Sequence, residues 1–113
     1  MNLKNKKVLI TGATGGIGYS LVKKFVESGA NVLGSGTNLD KLKKLQNEFK
    51  IQIEQFKLDE HSKIDSFVET ISQKLGGLDI LVNNAGITLD NLSIRLTEEN
   101  WKKVIDINMT STF

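Results

Sequence analysis

The sequence predicts an α/β fold, a doubly wound parallel sheet with helices on both faces. Three observations lead there. Short apolar runs recur along the 113 residues, and each is followed by a stretch whose apolar residues fall at helical spacing. The alternation repeats four times, and strands joined through helices lie parallel with right-handed crossovers. Glycines punctuate the junctions, with Gly12, Gly15, Gly16 and Gly18 after the first run, Gly29 before the second, and Gly76-Gly77 before the fourth.

Each element has its own warrant. Val8-Leu9-Ile10-Thr11 is the continuous apolar run of a strand buried on both faces. Ile17, Leu21, Val22, Phe25 and Val26 share one face of a first helix, and Gly29 stands where it stops. Asn31 to Ser35 is a second strand. Leu39, Leu42, Leu45 and Phe49 line a second helix with lysines on its outer side. Ile51, Ile53 and Phe56 alternate, as in a third strand over 51–57. Ile64, Phe67, Val68, Ile71 and Leu75 form a third helical stripe, and Leu78 to Val82 a fourth strand. Residues 97–113 read as a fourth helix, with Thr97 as N-cap and Trp101, Val104, Ile105 and Met109 inward. The expected sheet has four strands in the order 3-2-1-4, within one partial domain over 1–113. Its fourth strand would be left as an open edge, a template for association into a homo-oligomer.

Composition narrows the function. Hydrophobic residues make up 39% and charged residues 25%, as in soluble globular domains. No apolar run approaches the ~20 residues of a membrane span. The polar start, Met1 to Lys7, is not a targeting signal, so the expected location is cytoplasmic. With no cysteine and a single histidine, His61, disulfides, thiolate zinc sites and cysteine nucleophiles are excluded. His61 reads as a surface residue, and Asp65 and Glu69 as a solvated helix face. The net charge of +2 is too small and scattered for a nucleic-acid partner.

The chemistry concentrates in Thr11-Gly12-Ala13-Thr14-Gly15-Gly16-Ile17-Gly18, between the first strand and the first helix. Such a turn brings free backbone N–H groups and the positive end of a helix to one point, where phosphates bind. Gly12 permits the tight turn, Gly16 the approach of a pyrophosphate, and Gly18 close packing of the helix on the sheet. The spacing Gly-x3-Gly-x-Gly departs from Gly-x-Gly-x-x-Gly, and no Lys-Ser/Thr pair makes it a P-loop. The second strand ends in Gly34-Ser35-Gly36-Thr37-Asn38, with no carboxylate before Asp40 to hold a ribose 2′-hydroxyl. Ser35, Thr37 and Asn38 offer hydrogen bonds to a 2′-phosphate and Lys41 is near, which favours NADP over NAD although no arginine is present there.

Thr11-Gly12-x3-Gly16-Ile17-Gly18, with Asn83-Asn84-Ala85-Gly86 at the end of the fourth strand, resembles the short-chain dehydrogenase/reductase family. The run from Asn84 to Leu92, with Trp101 and Asp106-Ile107-Asn108-Met109-Thr110, is similar to its 3-oxoacyl-[acyl-carrier-protein] reductases. The likeness implies the amino-terminal half of a Rossmann-type fold and an NADPH-dependent reduction of a 3-keto to a 3-hydroxy group in fatty-acid synthesis. It implies that Gly12, Ala13, Thr14, Gly16, Ile17 and Gly18 meet the pyrophosphate. Thr37 would meet the adenosine ribose and its phosphate, Leu58 the adenine, and Asn84, Ala85 and Gly86 the riboses. Asn108 matches the family's catalytic asparagine, which disturbs the fourth helix so that its main-chain carbonyl holds a proton-relay water. Gly15 stands where many NADP-using members carry arginine, and Lys57 where members often carry aspartate.

The family's catalytic serine and Tyr-x3-Lys follow the fourth helix, beyond Phe113. Tyr19-x3-Lys23 matches by letter, but Tyr19 directly follows Gly18 at the pyrophosphate end, so it reads as an ordinary helix pair. The expectation is an inactive amino-terminal fragment that takes an acyl-carrier-protein thioester only when a carboxy-terminal half is supplied. The alternatives are a non-catalytic nucleotide-binding module and a remnant that does not fold stably.

Overall fold

The computed structural model of the chain describes residues 2–56, 64–84 and 105–108. The elements alternate as β1 (Lys7–Ile10), α1 (Gly16–Glu27), β2 (Asn31–Gly36), α2 (Leu39–Phe49), β3 (Gln52–Gln55), α3 (Ile64–Leu75), β4 (Ile80–Asn83) and β5 (Ile105–Asn108). The strands form one parallel sheet in the order β3-β2-β1-β4-β5. The expected 3-2-1-4 arrangement is therefore present, and it is Rossmann-like.

Side-chain alternation along the central strands builds two cores. Leu9, Leu33 and Leu81 point to the side where Phe67, Val68, Ile71 and Leu75 of α3 cover them. Val8, Ile10, Val32, Ile80 and Val82 point to the other, against Val22 and Phe25 of α1 and Leu42 and Leu45 of α2. Both faces are covered, which is why Val8 to Ile10 of β1 and Ile80 to Val82 of β4 are unbroken apolar runs rather than alternating ones. Phe56, just past β3, stacks on Phe67 with ring centroids 4.3 Å apart and ties the sheet's far edge to α3. That edge is also guarded: Lys74 donates to the Ile53 carbonyl at 2.7 Å and pairs with Glu54 at 2.8 Å.

One expectation is corrected. Residues 105–108, assigned by periodicity to a fourth helix, are a strand, so the sheet among the described residues has five strands rather than four. β5 pairs parallel with β4 from Ile80↔Ile105 to Asn83↔Asn108, and the Ile105 amide donates to the Asp79 carbonyl at 2.9 Å. The physical reason is the backbone of β4. All four of its residues are buried, and an unpaired edge there would leave peptide groups without partners. Ile105-Asp106-Ile107-Asn108 also has strand periodicity, so pairing overrides helix spacing. Among the described residues β5 is the outermost strand on that side, and its Ile105 is 59% exposed. Thr97, Trp101, Val104 and Met109 lie outside the described residues.

Candidate functional site

The carboxyl edge of a parallel sheet is where α/β proteins place ligands. Here the segment between β1 and α1 is strapped to the strands on either side. The Thr11 amide donates to the Val82 carbonyl at 3.0 Å, and the Ala13 amide to the Ser35 carbonyl at 3.0 Å. Gly12 has a φ of +61°, a left-handed conformation that favours glycine. Its carbonyl accepts from the Gly15 amide at 3.4 Å and from Asn84 Nδ2 at 3.1 Å. The buried Thr11 hydroxyl donates to the Val82 carbonyl at 3.3 Å and accepts the Asn84 amide at 3.0 Å. Thr11→Val keeps the shape and removes this junction. We expect it to cost about 1–3 kcal/mol, read as a lower urea midpoint.

Small residues form the floor. A Cβ on Gly34 would lie 3.2 Å from the Cβ of Ala13, and one on Gly36 3.5 Å from the Thr14 side chain. Gly34 and Gly36 of β2 thus let the turn settle onto the strand end. Gly18 is tighter: a Cβ there would sit 2.1 Å from the Gly12 carbonyl oxygen. Gly16 is the opposite case, with nothing within 4 Å of an added Cβ. Gly15 caps α1 in an extended conformation without a side-chain cap bond, and no acid lies in the first turn. The amides of Gly16, Ile17 and Gly18 therefore stand at a positive helix end whose Gly16 side is unobstructed, an arrangement that receives a phosphate. A Cβ on Gly15 would make only an ordinary contact, 3.9 Å from the Gly12 carbonyl oxygen.

The end of β2 revises the residues expected near a 2′-phosphate. Ser35 is buried, with only 3% exposed, so it belongs to the packing under the turn. The Asn38 side-chain oxygen accepts the Lys41 amide at 3.0 Å and caps α2. Thr37 is exposed, and its carbonyl accepts Gln55 Nε2 at 2.9 Å. Gly12, Ala13, Thr14, Gly16, Ile17, Gly18 and Asn84 all gather at this edge around the turn, and Thr37 stands at the neighbouring strand end. Leu58, Ala85, Gly86, Lys57 and His61 lie outside the described residues. Asn108 ends β5 opposite Asn83, so the helix whose carbonyl it was expected to release is replaced there by a strand. What sequence reasoning missed is the double role of Thr11 and Asn84 as braces.

Tyr19 is engaged elsewhere. Its hydroxyl donates to the Glu48 carboxylate, and its ring tilts against Phe49 with centroids 5.4 Å apart. The hydrogen bond to Glu48 raises its pKa, with slight desolvation and the carboxylate's charge adding to the effect. A general acid that must cycle near neutrality needs the reverse shift.

The model of the short chain dehydrogenase family matches residues 6–113. The chain belongs to the short-chain dehydrogenase family. It is 40% identical to the 3-oxoacyl-[acyl-carrier-protein] reductase FabG of Thermotoga maritima, with all of this chain covered and 48% of the relative. It is 37% identical to the FabG of Vibrio cholerae serotype O1, across 100% of the chain and 47% of the relative. It is 36% identical to a 3alpha-hydroxysteroid dehydrogenase of Mediterraneibacter gnavus, across 100% of the chain and 48% of the relative. The chain thus spans about half the length of the curated relatives it matches. Its fold is also that of an oxidoreductase, yciK, from E. coli, with a TM-score of 0.73 at 21% identity over 86% of this chain and 52% of that one. No helix among the described residues is long and apolar enough to cross a membrane, and no cluster of metal ligands occurs among them.

Proposed function

We propose that the chain is the cofactor-binding part, residues 1–113, of a cytoplasmic NADPH-dependent 3-oxoacyl-[acyl-carrier-protein] reductase of fatty-acid synthesis. The observation that carries the reading is the uncapped first turn of α1, with its open space over Gly16 and its close packing at Gly18. In this reading the amides of Gly16, Ile17 and Gly18 hold the pyrophosphate, with Gly12, Ala13 and Thr14 shaping the turn. Thr37 lies by the adenosine ribose and its phosphate, and Leu58 by the adenine. Asn84, Ala85 and Gly86 serve the riboses. Asn84 also keeps the turn open through its bond to the Gly12 carbonyl. When bound, the dinucleotide supplies the hydride. Asn108, at the carboxyl edge beside Asn83, is assigned to the proton relay through its backbone position.

The lack of a carboxylate between the end of β2 and Asp40 supports NADP over NAD, since the residues there, with Thr37 exposed, do not include the acid that would hold a ribose 2′-hydroxyl. Within 1–113 the sole tyrosine is the one bonded to Glu48, so no residue here protonates the substrate oxygen. The 113-residue chain is accordingly inactive alone and accepts an acyl-carrier-protein thioester when a carboxy-terminal half supplies the serine, tyrosine and lysine. The test is the purified chain with NADPH and either acetoacetyl thioester or a 3-oxosteroid, followed by loss of NADPH absorbance. The expected result is a rise in melting temperature with NADPH, larger than with NADH, and no turnover of either substrate. Turnover by the lone chain would contradict the assignment of the missing acid. Turnover of the steroid alone would shift the reading to the hydroxysteroid relatives.

A further inference from the structure

Four residues, Gly15 to Gly18, open α1 and have little of their own to hold them in place. Gly15 gives no side-chain cap, and two of the three residues with free amides are glycines, which lose the most entropy on ordering. Tyr19 is the first residue whose amide is held by the helix, donating to the Gly15 carbonyl at 2.8 Å. It is also the first whose side chain leaves the helix for another element. Its hydroxyl donates to Glu48 in the last turn of α2, and its ring rests on Phe49. From this juxtaposition we propose that Tyr19 is a positioning residue for the cofactor: its bond to Glu48 braces the amide-bearing first turn of α1 against α2 in the geometry a pyrophosphate needs.

The inference rests on the pyrophosphate reading of that turn and adds a residue to it. Gly18 fixes the inner side of the turn, through its close approach to the Gly12 carbonyl. The outer side, where Ile17 is 49% exposed, has no such contact from Gly16, and Tyr19 supplies one. Tyr19 is itself 38% exposed, so its hydroxyl is not part of the core. A preorganised donor turn binds its anion without first paying the ordering entropy. Loss of the brace therefore lowers affinity and leaves the fold intact.

The test combines Tyr19→Phe, Glu48→Ala, Glu48→Gln and the double variant Tyr19→Phe/Glu48→Ala in the 113-residue chain. Three readouts are used: thermal midpoint, amide hydrogen exchange at Tyr19 and Ser20 without ligand, and NADPH affinity by calorimetry. The expected result for Tyr19→Phe and for Glu48→Ala is faster exchange at these amides, NADPH affinity weakened about two- to tenfold and an unchanged midpoint. The double variant is no weaker than either single one, and Glu48→Gln, which keeps an acceptor oxygen, regains most of the affinity. Unchanged exchange in Tyr19→Phe overturns the brace, as does additive loss in the double variant or failure of Glu48→Gln to restore binding. If the unaltered chain binds no dinucleotide while Tyr19→Phe still speeds exchange, the cofactor reading has failed. The contact is then packing only, which also overturns the proposal.

Discussion

Gly18→Ala should damage both the fold and the dinucleotide site. The new methyl would stand 2.1 Å from the Gly12 carbonyl oxygen and 2.9 Å from two backbone atoms of Ala13. All three neighbours are main chain, so no rotamer change relieves the clash. Instead, α1 must lift away from the turn or the turn must unwind. Overpacking of this kind costs about 1–3 kcal/mol or more, and the backbone location puts the expected loss at the upper end. Because the displaced groups are the amides assigned to the pyrophosphate, NADPH affinity should fall at least about tenfold. Gly16→Ala separates the two effects. Nothing lies within 4 Å of its Cβ, so stability is unchanged or slightly raised. The methyl nevertheless enters the space assigned to the phosphate, and affinity drops. Urea midpoints and calorimetry on the two variants check the pair; equal loss of stability in both would contradict the packing assigned to Gly18.

Leu9→Ala should be the most destabilising truncation in the core. Leu9 is fully buried in β1, which lies between β2 and β4, and its side chain packs in the layer with Leu33, Leu81 and Ile71. Strands on both sides prevent the site from collapsing, so a cavity persists. The expected cost is about 2–5 kcal/mol. A domain of this size has only about 5–15 kcal/mol to lose. Chemical unfolding should show a clearly lower midpoint with the same slope. A change below about 1 kcal/mol would mean that the α3 face is loosely packed.

These two positions also show what can be read from the sequence and what cannot. Leu9 was legible because Val8 and Ile10 flank it: an unbroken apolar run means both faces are covered, and both are. Gly18 was legible because the turn chemistry is local, set by a strand, a glycine cluster and a helix stripe in succession. Ile105 was not. It completes a helical series with Trp101 and Met109 and a strand series with Ile107, and the choice between them belongs to the backbone of β4, a partner distant in sequence. Ser35 was misplaced for a related reason, because burial beneath Ala13 depends on how the turn folds back. The bracing by Thr11 and Asn84 links residues 73 apart, which no local pattern encodes.

A pyrophosphate held by the amides that open α1 is the foundation of the proposed site. Titration calorimetry of the folded 113-residue chain, first with NADPH and then with NADH, tests that claim directly. The expected result is saturable one-to-one binding, tighter for NADPH, and weakened in Gly16→Ala without loss of stability. No heat of association with either dinucleotide, in a sample that unfolds cooperatively, would contradict it.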